Sequence, residues 1–95
     1  MLEFVWDREK AAGNLAKHGV DFEDAATAFD DPLSITIPDP DHSQGEERFL
    51  LIGLSKAGRL LVIAHAEHGN EIRLINARTA TRRERQKYEE EPQGL

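Results

Sequence analysis

An α+β fold is expected from three observations. Apolar residues recur at helical spacing in the first third of the chain, alternate or run unbroken at strand spacing from Leu33 to Ala77, and give way to a capping box that opens a last helix. Short turns separate the middle strands, so these form a four-stranded antiparallel meander. An N-terminal strand and a helical hairpin pack on that meander, and a C-terminal helix follows it. Residues 1–95 make one domain with a modest core.

The elements follow in order. Glu3 to Trp6 is short, apolar and β-prone, and Asp7 is a good helix N-cap. From Arg8 to about His18, Ala11, Ala12, Leu15 and Ala16 form one apolar stripe, and Gly19 stops the helix in a left-handed conformation. Asp21 caps a second helix, on which Phe22, Ala25, Ala26 and Phe29 share one face. Asp30, Asp31 and Pro32 end it. Leu33, Ile35 and Ile37 alternate with polar residues as in a half-buried strand, and Pro38 to Gly45 reads as a loop. Arg48 to Ser55 is almost wholly apolar, as a strand covered on both faces would be. Lys56-Ala57-Gly58 turns the chain into a strand over Arg59 to Ala66, and His68-Gly69-Asn70 turns it into another over Glu71 to Ala77. Thr81-x-x-Glu84 then starts a helix from about Arg82 to Glu91, and Pro92 and Gly94 end the fold. Phe4 and Trp6, on a short strand beside the first helix, read as core.

Composition narrows the function. Cysteine is absent, so disulfides, thiolate nucleophiles and cysteine metal sites are excluded. The N-terminus lacks the pattern of a secretory signal and no apolar run is long enough for a membrane helix, so a soluble cytoplasmic protein is expected. A pI near 5.1 argues against bulk nonspecific DNA binding. Charge is unevenly distributed: three Lys/Arg stand against twelve Asp/Glu up to Glu47, and nine against six from Arg48 onward. That split suggests a basic working surface on an acidic body.

The basic residues concentrate between Ile72 and Tyr88, where Arg73, Arg78, Arg82, Arg83 and Arg85 precede a phenol. Guanidinium groups mounted on a rigid strand suit phosphate chemistry without a metal. Along an unbroken strand Arg73 and Arg78 would point to opposite faces, and only a bulge or the strand end would bring them together. Each of these arginines also has a bland reading, in which Arg73 pairs with a surface carboxylate and the helix arginines form a solvated face with Glu84 and Glu89 to Glu91; for Arg82, Arg83 and Arg85 that reading is the better one. The four histidines, His18, His42, His65 and His68, match no zinc spacing, and no phosphate loop or nucleophile elbow occurs, so neither metal nor cofactor is expected. Lys17 and His18 close the first helix, where a cation stabilises the dipole, or they serve as a base or phosphate ligand beside the sheet.

The segments FVWDREKAAGNLAKHGVDFEDAATAFDDP, GEERFLLIGLSKAGRLLVI and IRLINARTATRRERQKYEE resemble the BrnT family of type II toxins. The motifs W-D-x-x-K, N-x-x-K-H-G-V-x-F, F-x-D-P, G-E-x-R, G-R-x-L, I-R-x-I-x-A-R and E-R-x-x-Y occur in the family's order from Phe4 to about Glu90. The resemblance implies a RelE-like ribonuclease fold and an mRNA-cleaving toxin that arrests growth. It also implies an antitoxin of the BrnA type with a ribbon-helix-helix DNA-binding domain, through which alone the toxin would reach operator DNA. Two positions depart from the family pattern: His68 stands where a basic arginine is frequent, and Asn76 where serine is common.

RNA cleaved without a metal is cut through its own 2′-hydroxyl, which requires a base, cations for the phosphorane and an acid for the 5′-oxygen. His65 or His18 would supply acid–base function, since histidine titrates near neutrality. Arg48, Arg73 and Arg78 would clamp the phosphate, and Tyr88 would stack on a base or donate a proton. The alternative reading is a catalytically silent module that binds the antitoxin and acts as a co-repressor. A simple RNA-binding domain is the third.

Overall fold

The computed structural model describes residues 1–39 and 46–90. Most of the loop expected from Pro38 to Gly45, His42 within it, and the helix end at Glu91, Pro92 and Gly94 lie outside the described residues. The chain runs β1 (Glu3–Val5), α1 (Arg8–His18), α2 (Phe22–Thr27), a 3₁₀ turn (Ala28–Asp30), β2 (Ile35–Pro38), β3 (Arg48–Leu54), β4 (Leu60–His68), β5 (Glu71–Thr79) and α3 (Arg82–Glu90).

Local chemistry sets the helix ends. The Asp7 carboxylate accepts from the Lys10 amide at 2.9 Å, and Asp21 accepts from the Asp24 amide at 2.6 Å. Gly19 ends α1 at φ 70°, where a side chain would be strained. The second helix is shorter than its apolar pattern suggests. It tightens into the 3₁₀ turn at Ala28, because the turn lies directly on β3: a Cβ on Gly53 would sit 2.9 Å from the Ala28 carbonyl oxygen.

All five strands form one sheet in the order β1-β5-β4-β3-β2. Strands β2 to β5 pair antiparallel in sequence order, whereas β1 adds to the far edge parallel to β5, with Glu3 opposite Glu71 and Val5 opposite Arg73. The N-terminal strand is therefore part of the sheet, not a separate layer packed on a four-stranded one. Its place follows from a crossover through α1 and α2, which brings the chain back to start the meander on the opposite edge.

The two faces of the sheet differ. On the first, Val20, Phe22, Ala25 and Ala28 pack on Leu51, Leu61, Ile63, Ile72, Leu74 and Ala77 to form the main core. Trp6 meets Phe22 edge to face at 5.8 Å and Phe4 meets Phe29 at 5.1 Å, so both aromatic residues are core-associated. The stripe expected on α1 is not its inner face: Ala12, Leu15 and Ala16 are exposed, and the buried residue is Asn14. This side chain replaces apolar packing with three hydrogen bonds, donating to the Val20 and Ala77 carbonyls and accepting from the Ala77 amide. It thereby pairs the edge of β5 beyond the point where β1 stops. Among the described residues, the second face is covered only at one end, where Tyr88 of α3 and Ala80 lie over Ile52, Leu60 and Val62.

Candidate active site

The uncovered part of the second face carries the polar groups. Residues directly opposite on neighbouring strands project to the same side. The register places Arg48, Ala66 and Arg73 in one row, Leu50, Ala64 and Asn76 in the next, and Ile52, Val62 and Arg78 in a third. Between Leu74 and Asn76 the pairing with β4 slips by one residue, so Ile75 is an extra residue in β5. This bulge reverses the alternation along the strand. Arg73 before it and Arg78 after it consequently share a face, as an unbroken strand would not allow.

A concavity of about 240 Å³ lies between the outer two rows. Arg48, Asn76, Arg78 and Asp39 give it polar walls, and Leu50, Val62, Ala64 and Ile75 form its floor. Asp39 is buried, and its amide donates to the Arg48 carbonyl at 2.9 Å, fixing it beside that arginine. A larger open depression of about 540 Å³ beside Thr27, Asp30, Asp31 and Lys56 has more acid than base in its walls and is the poorer place for a phosphate.

Each arginine of the face holds an internal anion. Glu46 sits among Arg73, to which it is tightly hydrogen-bonded, Arg48 at 3.4 Å and His68 at 3.3 Å. Those hydrogen bonds, that from Arg73 first, hold its carboxyl below the usual range. Arg78 makes a two-pronged pair with Glu84 of α3, at 2.7 and 2.8 Å. Glu84 is pulled down to about 2, mainly by Arg78, and in return raises the Arg78 guanidinium further. Glu84 also accepts from the Thr81 amide while Thr81 Oγ1 accepts from the Glu84 amide, so the capping box that starts α3 also anchors an arginine of the face.

The remaining sequence candidates lie apart from this concavity. His65 is completely buried on the helix-covered side, stacked on Phe49 at 5.9 Å and edge-on to Phe29 at 4.8 Å, with Nε2 2.9 Å from Glu67. His18, at the end of α1, lies across the bulge from Arg48 and Arg78, in a groove that includes Lys10, Lys17 and Asn76. Tyr88 donates its hydroxyl to Asp31 at 2.6 Å, and its pKa is pushed up to about 12 by desolvation and then by that carboxylate. The structure thus brings Arg48, Arg73 and Arg78 together and leaves His18, His65 and Tyr88 outside. Sequence reading missed Asp39, Glu46 and Asn14. Asp39 borders a loop that offered only turn signals, while Glu46 and Asn14 stood in the G-E-x-R and N-x-x-K-H-G-V-x-F motifs with no role attached to them.

Fold and face define a small α+β protein with an arginine-walled concavity on the side of its sheet that α1 and α2 do not cover. A family profile described as "ribonuclease toxin, BrnT, of type II toxin-antitoxin system" matches residues 6–84. The chain belongs to this BrnT family, and membership in a type II system brings with it an antitoxin partner. Among solved structures, the 1.1 Å crystal structure of the Brucella abortus ribonuclease toxin BrnT is similar with a TM-score of 0.62 and 22% identity. That match covers 86% of this chain and 100% of the Brucella chain, and at this identity it speaks for the fold. No curated protein sequence matches this chain. Among the described residues, no helix is long and apolar enough to cross a membrane.

Proposed function

We propose that this chain is a RelE-like, metal-independent endoribonuclease that cleaves mRNA in the cytoplasm at the face bearing Arg48, Arg73 and Arg78. The observation that carries this reading is the bulge at Ile75, which sets Arg73 on the same face as Arg48 and Arg78, with Arg48, Asn76 and Arg78 around one concavity. In this reading the 2′-hydroxyl oxygen attacks the adjacent phosphorus, and the P–O5′ bond breaks to leave a 2′,3′-cyclic phosphate and a 5′-hydroxyl. Arg48 and Arg78 stabilise the charge that builds on the phosphorane oxygens. Asp39 is the carboxylate in the concavity and takes the 2′-hydroxyl proton. Among the described residues no histidine lines the concavity, so the proton for the departing 5′-oxygen arrives through water. His65 then has a structural role in the core, and Tyr88 a docking role beneath α3.

Glu46 and Glu84 occupy the guanidinium groups that a phosphate would use. This favours, as a second reading, a silent module that binds a BrnA-type antitoxin and serves as co-repressor, meeting operator DNA only through that partner. Incubating the purified protein with RNA in excess EDTA separates the two. Cleavage with cyclic or 3′-phosphate ends is the expected result. Intact RNA, ends bearing a 3′-hydroxyl, or a strict need for added divalent ion would overturn the proposed mechanism.

A further inference from the structure

We propose that the groove between α1 and the outer edge of β5 holds the flanking phosphodiester chain of a single-stranded RNA substrate, with Lys10 and Lys17 as its phosphate ligands. This rests on reading the arginine face as the cleavage site, and extends it to a second subsite. The groove measures about 290 Å³; Lys10, Gly13, Lys17 and His18 form one wall, Ile75 and Asn76 the other. Ile75 and Asn76 also border the concavity between Arg48 and Arg78, so the two depressions meet over the bulge.

Among the described residues, no strand pairs the outer edge of β5 here, since β1 ends at Val5, opposite Arg73, and Asn14 bonds the backbone at Ala77. Gly13 keeps the wall low, since even a Cβ there would meet nothing within 4 Å. A chain leaving the arginine concavity therefore has a path around the edge of the sheet.

Charge marks that path. Among the described residues, Lys10, Lys17 and His18 have no carboxylate partner, whereas Arg48, Arg73 and Arg78 all have one. Among the described residues, no acidic side chain lines the groove. An anion entering it gains cations without displacing an internal anion, in a protein whose net charge is −6. Lys10 and Lys17 are two turns apart, about 10 Å along the helix axis, too far for both to hold one phosphate. An acidic peptide would satisfy the same charges. RNA fits better because the groove opens into the concavity where its phosphate reacts.

Binding of 2′-O-methyl RNA, which lacks the nucleophile and stays intact, tests the proposal by fluorescence anisotropy. Lys10→Ala/Lys17→Ala retains the fold, because both side chains are exposed and alanine is the stronger helix former. It is expected to weaken binding of a strand of about a dozen nucleotides roughly tenfold at low salt and to reduce the slope of log affinity against log salt by about 1.4. A dinucleotide, too short to span both sites, should bind as it does to the wild type. Arg78→Ala should weaken both ligands. Unchanged binding of the longer strand, or equal loss on the dinucleotide, overturns the groove while leaving the arginine face standing. Unchanged RNA binding with weakened antitoxin binding assigns the groove to the partner and overturns the proposal too. Wild-type binding by Arg78→Ala would instead remove the arginine face, and with it the route that joins the two sites.

Discussion

At the scale of single residues, Asn14 and Arg78 separate folding from function. The Asn14 amide satisfies both backbone groups of Ala77 two residues past the bulge, deep enough that water cannot replace it. Asn14→Ala leaves those groups and the Val20 carbonyl unpaired, at a cost on the order of 3 kcal/mol, to be read as a lower urea midpoint with an unchanged slope. Arg78→Ala is expected to leave a folded protein and lower cleavage by about 10²–10³, as loss of one charge-assisted contact to a transition state typically does. Arg78→Lys should recover only part of that rate, because a point charge cannot reproduce the planar fork. A fully active Arg78→Ala at equal abundance would show that the clamp lies elsewhere. The sequence made Arg78 visible and Asn14 invisible for one reason. An arginine excess in an acidic chain stands out, whereas the role of a helical asparagine depends on which strand edge lies beside it.

At the scale of elements, α3 is held by two contacts of opposite acid–base character. Glu84 grips Arg78 near its start, and Tyr88 donates to Asp31 near its end. The folded carboxyl of Glu84 lies near 2 against an ordinary 4.5, so its stabilisation is present above 4.5 and is lost as pH falls from there through 2. For a partly exposed pair, solvent screening reduces this to about 1 kcal/mol. The phenol of Tyr88 is raised from 10.0 to about 12, so its contribution is intact below 10 and is lost as pH climbs through 12. Stability measured against pH should fall at both ends. Glu84→Gln is expected to flatten the acid limb and Tyr88→Phe the alkaline one, and a variant that leaves its limb unchanged would show that the helix is docked by apolar contact alone. Most elements were legible from periodicity and caps, from Asp7 and Gly19 around α1 to the box at Thr81. The bulge at Ile75 was not, because Leu74-Ile75-Asn76 carries no glycine or turn residue to announce an extra position. It lies where the tertiary surroundings change, the outer partner of β5 passing from a strand to a side chain within four residues. The parallel place of β1 was hidden too, since three residues cannot state which edge they join.

For the whole molecule, the basic C-terminal half on an acidic body predicts how the antitoxin arrives. A partner segment that takes Arg48, Arg73 and Arg78 from Glu46 and Glu84 would be acidic, and pairing of rim charges acts chiefly on encounter rate. Stopped-flow association should therefore slow as salt rises, with dissociation changing little. Association indifferent to salt, and unchanged in the arginine variants, would place the partner on the acidic helical side. The sequence showed the charge split but could not show that Glu46 and Glu84 already occupy the arginines, because a pairing across 27 or 6 positions appears only when strands and helix are in place.

The pairing of the first strand with the last also sets a clock. Glu3 meets Glu71 and Val5 meets Arg73, so the first strand has no partner until the chain has been made past Arg73. At about 5–20 residues per second, the chain spends several seconds growing before its final strand exists. A nascent chain halted before Glu71 should be digested readily by protease, and one carried well past Thr79 should resist; equal resistance of the two would disprove the delay. The same strand supplies Arg73 and Arg78. The arginine face is therefore among the last parts of the fold to form as the chain grows.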